Sequence, residues 1–138
     1  MAKTFTAPFA QSPKTSTVVA SAAIGAIGTD APTGVIELVS AGSEGALLTR
    51  LVAIPRGTVT ASSLCLFHSS DGGNTKRLID SELMSGYTLA VTTAIPETGF
   101  PNVSEVTPLR LAPNAKLYVG TQVALAAGIV FRAEWTDF

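Results

Sequence analysis

The residues of this chain that could act as nucleophiles, general bases or metal ligands are few and do not cluster. His68 is the only histidine and Cys65 the only cysteine. They are three positions apart, which places them on opposite faces of a β-strand, and a zinc site needs more ligands than this pair can supply. We therefore expect no metal site. We predict a buried, apolar thiol for Cys65 and a solvated side chain at a strand end for His68.

Other polar motifs resemble catalytic or ligand-binding loops only loosely. Residues 41–45, Ala-Gly-Ser-Glu-Gly, resemble the nucleophile elbow of serine hydrolases, but the first glycine is replaced and no helix follows, which favours a hairpin turn. Residues 71–74, Asp-Gly-Gly-Asn, lack the further oxygen ligands of a calcium loop and predict a tight turn. Asp80 and Glu82 share one face of a strand, and we expect a solvent-facing pair there. The sequence therefore indicates no catalytic site and no cofactor, and we expect a protein that is not an enzyme.

Composition limits the classes of partner. The chain has 138 residues, a formal net charge of −1, 46% apolar and 14% charged residues, which is typical of one folded domain with a substantial core. This charge gives no field that would attract nucleic acid or an anionic membrane, so we expect neither as a partner. Residues 17–28, preceded by Lys3 and Lys14, resemble a signal peptide faintly but are short and interrupted by glycine, so we expect synthesis in the cytosol.

Strand periodicity organises the whole chain. In the last stretch, Ile129, Phe131, Ala133 and Trp135 alternate with polar residues, which predicts a strand with one buried face. We expect it to form a hairpin with a strand at 116–123 through a turn at 125–128. Further strands are predicted at residues 17–23, 35–39, 47–54, 59–69, 76–83 and 86–95.

These roughly eight strands, without a helix, predict an all-β fold: a two-sheet sandwich that forms a single β-sandwich domain over residues 17–138. Long connections at 25–34 and 96–108 favour a jelly-roll or Greek-key order over a simple meander.

Residues 1–16 carry no strand period and are interpreted as an extended N-terminal arm, because their prolines remove backbone donors. Two interpretations remain open: a frayed terminus, or an arm that lies on a neighbouring subunit. In the second interpretation Phe5 and Phe9 are the anchors, and Pro8 and Pro13 keep the arm extended, so these four residues are the candidate partner-binding residues.

Several segments together resemble small structural proteins of tailed bacteriophages. They are residues 46–53 (Ala-Leu-Leu-Thr-Arg-Leu-Val-Ala), 57–60 (Gly-Thr-Val-Thr), 64–67 (Leu-Cys-Leu-Phe), 111–120 (Leu-Ala-Pro-Asn-Ala-Lys-Leu-Tyr-Val-Gly) and 126–128 (Ala-Ala-Gly). The resemblance spans residues 35–135 and is to the head-decoration, or cement, proteins with a jelly-roll fold.

This resemblance implies a protein that binds the outside of a capsid and bridges neighbouring major capsid subunits, often as a dimer or trimer. It implies a location on the capsid exterior of the virion after synthesis in the host cytoplasm. The family has no catalytic motif, so no functional residue is carried over. Three other classes stay open: another virion module of the tail or fibre, a non-viral carbohydrate- or ligand-binding β-sandwich, and, least favoured, an enzyme with a base other than His68.

Overall fold

The computed structural model describes residues 12–138, and within them the chain forms nine β-strands and no helix. The strands are β1 (Ser12–Ala20), β2 (Ile36–Ser40), β3 (Ala46–Pro55), β4 (Ser62–Ser69), β5 (Arg77–Met84), β6 (Thr98–Gly99), β7 (Leu109–Leu111), β8 (Lys116–Thr121) and β9 (Ile129–Asp137).

Two antiparallel sheets pack face to face, as the alternation of apolar residues predicts. One has the order β1-β9-β3, with β6 and β7 both pairing with β3, and the other has the order β2-β8-β4-β5. Apart from β4–β5 and β6–β7, each connection crosses from one sheet to the other. This order is that of a jelly roll in which one strand is divided into β6 and β7. The predicted all-β, two-sheet sandwich is confirmed.

The main core lies between the two sheets, where the inward faces of the long strands meet. Ile129, Phe131, Ala133 and Trp135 of β9 are all buried in it, as their alternation predicts. Leu64 and Leu66 of β4 approach the same core from the other sheet. Burial of these apolar side chains is the main stabilising contribution to the sandwich.

A second, smaller core lies on the outer face of the four-stranded sheet. Cys65, Phe67 and Tyr118 point away from the main core and are covered by Ile24, Ile27 and Val35 of the β1–β2 loop, residues 21–35. Strand β4 is therefore buried on both faces, which explains its continuously apolar centre.

The last two strands do not form the expected hairpin, and that prediction is wrong. Strand β8 pairs with β2 and β4, whereas β9 pairs with β1 and β3 in the other sheet. The expected turn exists, with the Gly128 N–H donating to the Leu125 carbonyl at 2.9 Å. It lies in a connection that crosses between sheets, because the apolar faces of both strands are buried by facing each other across the core.

Residues 86–95 do not form the predicted strand. Their only ladder contact within the described residues is a bridge between Val59 and Tyr87. At the other end of the chain, β1 begins at Ser12 rather than at residue 17 and ends at Ala20, so residues 12–16 of the expected arm are paired with β9.

Candidate interaction surfaces

Most polar motifs singled out from the sequence have structural roles in turns. Ser43 lies on a β-turn, closed by the Gly45 N–H and the Gly42 carbonyl, that joins strands of different sheets. It lies neither on a hairpin nor between a strand and a helix, so the elbow geometry of a hydrolase is not present. Within residues 12–138, no three His, Cys, Asp or Glu side chains form a group that could hold a metal ion.

Residues 71–74 form the expected tight turn, between β4 and β5. The Asp71 carboxylate accepts the Thr75 N–H at 2.8 Å and the Ser69 hydroxyl at 2.9 Å through one oxygen. These hydrogen bonds, first that from the Thr75 backbone, hold the pKa of Asp71 down at about 2. The carboxylate is therefore used to close its own turn.

Cys65 is fully buried in the outer core, as predicted, and burial raises the pKa of its thiol. His68, on the opposite face of β4, is half-buried. It lines a depression of about 300 Å³ together with Asp80, Asn102 and Arg110 at the β5 edge of the sandwich.

Asp80 and Glu82 do not form the expected solvent-facing pair. They lie opposite Leu66 and Leu64, so both project towards the inner side of the sandwich. Asp80 Oδ1 accepts from its neighbour Ser81 N–H at 2.8 Å and from the Asn102 amide at 3.3 Å. Asp80 lines the depression beside His68, whereas Glu82 lines a different groove. Inward-facing charges on an edge strand discourage its pairing with another chain.

The most unusual surface is the loop that replaces the predicted sixth strand, residues 85–97, which we call the apolar loop. Leu89 is 49% exposed, Ile95 45% and Val91 fully exposed. Leu83, at the end of β5 just before the loop, is 71% exposed. Scattered apolar residues are normal on a surface, but several on one short segment make the apolar loop a candidate interaction surface. Sequence reasoning missed this site because its β-branched residues also suit a strand.

A groove of about 740 Å³ lies beside the apolar loop, over the edge of β3. Its lining includes Glu82, Glu97, Glu105, Glu134 and Arg50, and we call it the acidic groove. Arg50 pairs with Glu97 at 3.0 Å and with Glu134 at 3.8 Å. Glu82 and Glu105 have no ion-pair partner among the described residues, so the groove carries excess negative charge.

Of the predicted partner-binding residues, only Pro13 is described. It is exposed on β1, an edge strand whose one pairing partner among residues 12–138 is β9, and a proline there blocks further strand pairing. Phe5, Pro8 and Phe9 lie outside the described residues.

Comparison of the chain with protein-family models, with curated proteins and with solved structures found no match. Residues 12–138 contain no helix with the length and apolar character needed to span a membrane.

Proposed function

We propose that this protein is a bacteriophage head-decoration, or cement, protein. It binds the outer surface of the capsid and stabilises the shell by bridging neighbouring major capsid subunits, without catalysing a reaction. The observation that carries the proposal is the apolar loop, in which Leu89, Val91 and Ile95 are exposed and which directly follows β5 with its exposed Leu83. A surface of this kind is suited to contact with protein rather than with a small polar substrate.

The proposed mechanism is adhesion by many weak contacts. Complete burial of one aliphatic side chain contributes about 1.5–3 kcal/mol, before the costs of association are subtracted. One copy therefore binds through the apolar loop with modest affinity. Repetition over a shell allows such contacts to sum, and a clamp that binds only the assembled lattice stabilises that lattice by mass action.

The proposal places the protein on the capsid exterior after synthesis in the host cytoplasm, as a homo-oligomer, either a dimer or a trimer. Its partner is the major capsid protein, with neither nucleic acid nor membrane involved. The N-terminal residues Phe5, Pro8, Phe9 and Pro13 supply further contacts to a neighbouring subunit. A net charge of −1 and a small charged fraction fit a surface that is largely covered in an assembly.

The alternative of a carbohydrate-binding sandwich receives less support, because such a site needs an exposed aromatic platform. Among the described residues, Trp135, Tyr118 and the phenylalanines of the two cores are buried. Tyr87 and Phe138 are half-buried. The described part of the surface therefore has no fully exposed aromatic ring to form such a platform.

The experiment is to add purified protein to undecorated phage heads and to measure binding and resistance of the heads to heat. We expect saturable binding that raises the temperature at which the heads release DNA. The double variant Leu89→Asp, Val91→Asp should lose binding while keeping its own melting temperature, because both side chains are exposed.

The matched control is Thr92→Asp, Thr93→Asp, which adds the same charge to the same loop without removing an aliphatic side chain. It should bind more tightly than the first variant. Wild-type protein that fails to saturate the heads, or that leaves their heat resistance unchanged, contradicts the proposed function. Saturation of purified tails instead would assign the protein to another part of the virion.

A further inference from the structure

The acidic groove coincides with a break in the five-stranded sheet. Strand β7 pairs with β3 at Ala46–Leu48, and β6 pairs with β3 at Val52–Ala53. No strand residue of the described chain lies opposite residues 49–51 on this edge of β3. The main-chain bond found here is from the Phe100 N–H to the Leu51 carbonyl, at 3.0 Å. The Leu51 carbonyl is thus already bonded, so an occupant of the groove would lie over this break and be held by side-chain contacts.

The groove offers two kinds of contact to such an occupant. Glu82 and Glu105 are carboxylates without an ion-pair partner among the described residues, so they favour a cationic side chain. Pro101 and Val106 supply exposed apolar surface in the same groove, and Val106 is 90% exposed. A fitting occupant is extended, carries positive charge without negative charge, and has large apolar side chains.

The chain's own residues 1–11, Met-Ala-Lys-Thr-Phe-Thr-Ala-Pro-Phe-Ala-Gln, have this chemistry. They contain Lys3, no acidic residue, and the two phenylalanines Phe5 and Phe9. Lys-Thr-Phe-Thr alternates with the period of a strand, so Phe5 and Lys3 would lie on the same side of an extended backbone.

The position where this segment joins the described structure also fits. Ser12 begins β1, the edge strand of the sheet that carries the groove. A shallow depression beside β1, lined by Pro13 and Thr15, shares Thr49 and Glu134 with the acidic groove, so a continuous path crosses the outer face of this sheet. The path covers about three strand spacings, on the order of 15–20 Å in all. The nine residues from Lys3 to Ser12 reach about 30 Å when extended.

We propose that residues 1–11 bind in the acidic groove of their own molecule, with the Lys3 ammonium paired to Glu82 or Glu105 and Phe5 against Val106. This inference concerns the free protein, in which Phe5 is not yet in contact with the neighbouring subunit that the proposed function gives it. It identifies the groove as a docking site for a basic, phenylalanine-containing segment of this same chain.

Zero-length carbodiimide crosslinking of the full chain, read out by mass spectrometry, tests the inference. The reagent joins a lysine to a carboxylate only where the two groups touch. We expect a crosslink from Lys3 to Glu82 or Glu105, and its loss in the double variant Glu82→Gln, Glu105→Gln. The ion pair between Lys14 and Asp137, at 2.7 Å, gives an internal positive control in both proteins.

An equal mixture of ¹⁵N-labelled and unlabelled protein identifies the molecule that supplies the segment. If every crosslinked pair has both peptides labelled or both unlabelled, the segment binds within one molecule. Mixed-isotope crosslinks overturn this assignment in favour of a second copy. A Lys3 crosslink to carboxylates outside the groove, or no Lys3 crosslink while Lys14 and Asp137 are joined, overturns the site itself.

Discussion

Trp135 connects the main core to the edge strand β1. Its side chain is 5% exposed, its indole N–H donates to the Ser16 hydroxyl at 3.1 Å, and the Lys14 ammonium lies 5.0 Å from the ring centroid. We predict that Trp135→Ala lowers the free energy of unfolding by about 3–5 kcal/mol, because it removes a large buried ring and leaves a cavity. Urea denaturation measures the change. Thr15→Ala, on the exposed face of β1, is the control and should change stability little, whereas equal losses in both variants would contradict the placement of the ring.

The carboxylate of Asp71 gives the molecule a defined acid sensitivity. Its pKa is about 2 in the folded protein and 3.8 without the turn contacts, so it stabilises the fold above pH 4 and loses this contribution as the pH falls from about 4 to 2. We predict that Asp71→Asn is less stable than the wild type at pH 7 and that most of this difference is gone at pH 2. Urea midpoints at both pH values measure it. The other carboxylates titrate in both proteins, so a difference independent of pH would contradict the assignment to Asp71.

The β1–β2 loop is held close to the four-stranded sheet by a glycine at its end. Gly34 has a φ of +77°, and a Cβ at this position would lie 2.4 Å from the Ala23 carbonyl oxygen. We predict that Gly34→Ala displaces the loop and accelerates the reaction of Cys65, which the loop buries, with a thiol reagent at pH 8. Gly28→Ala is the matched control in the same loop, since a Cβ there meets no atom within 4 Å. Equal labelling rates for the two variants would show that this loop does not protect the thiol.

Individual elements differ in how far the sequence predicts them. Strand β9 is predicted closely because its one-sided alternation is a direct consequence of having one buried face. Residues 86–95 are predicted wrongly because β-branched composition reports how well side chains fit a half-buried sheet, and this segment has no sheet to fit. The crossing of β8 and β9 to different sheets is likewise invisible to a period of two, which identifies a buried face but not the strand that pairs beside it.

The candidate surfaces are hard to predict for the same reason, because they depend on which strands pair with each other. The sequence predicts that Asp80 and Glu82 share a strand face, and they do, but the direction of that face depends on the pairing of β5 with β4. The acidic groove depends on the division of one jelly-roll strand into β6 and β7, with Pro101 on the loop between them. It joins residues from β3, β5, β9 and this loop, so no local pattern identifies it.

At the scale of the whole molecule, the two cores share strands β4 and β8 and should unfold together. The main core contains Trp135, the only tryptophan, and the outer core contains Cys65, the only cysteine, so each core has its own probe. We predict that urea unfolding followed by tryptophan fluorescence and by trapping of the thiol gives one coincident midpoint, because Leu64 and Cys65 are adjacent on one strand with a face in each core. Exposure of Cys65 at a lower urea concentration than the fluorescence change would contradict this and would identify the β1–β2 loop as an independently unfolding unit.

The two glycine variants of the β1–β2 loop should affect these two transitions differently. In Gly34→Ala, where that loop is strained, the thiol transition should move to lower urea ahead of the fluorescence transition, whereas in Gly28→Ala the two should stay together.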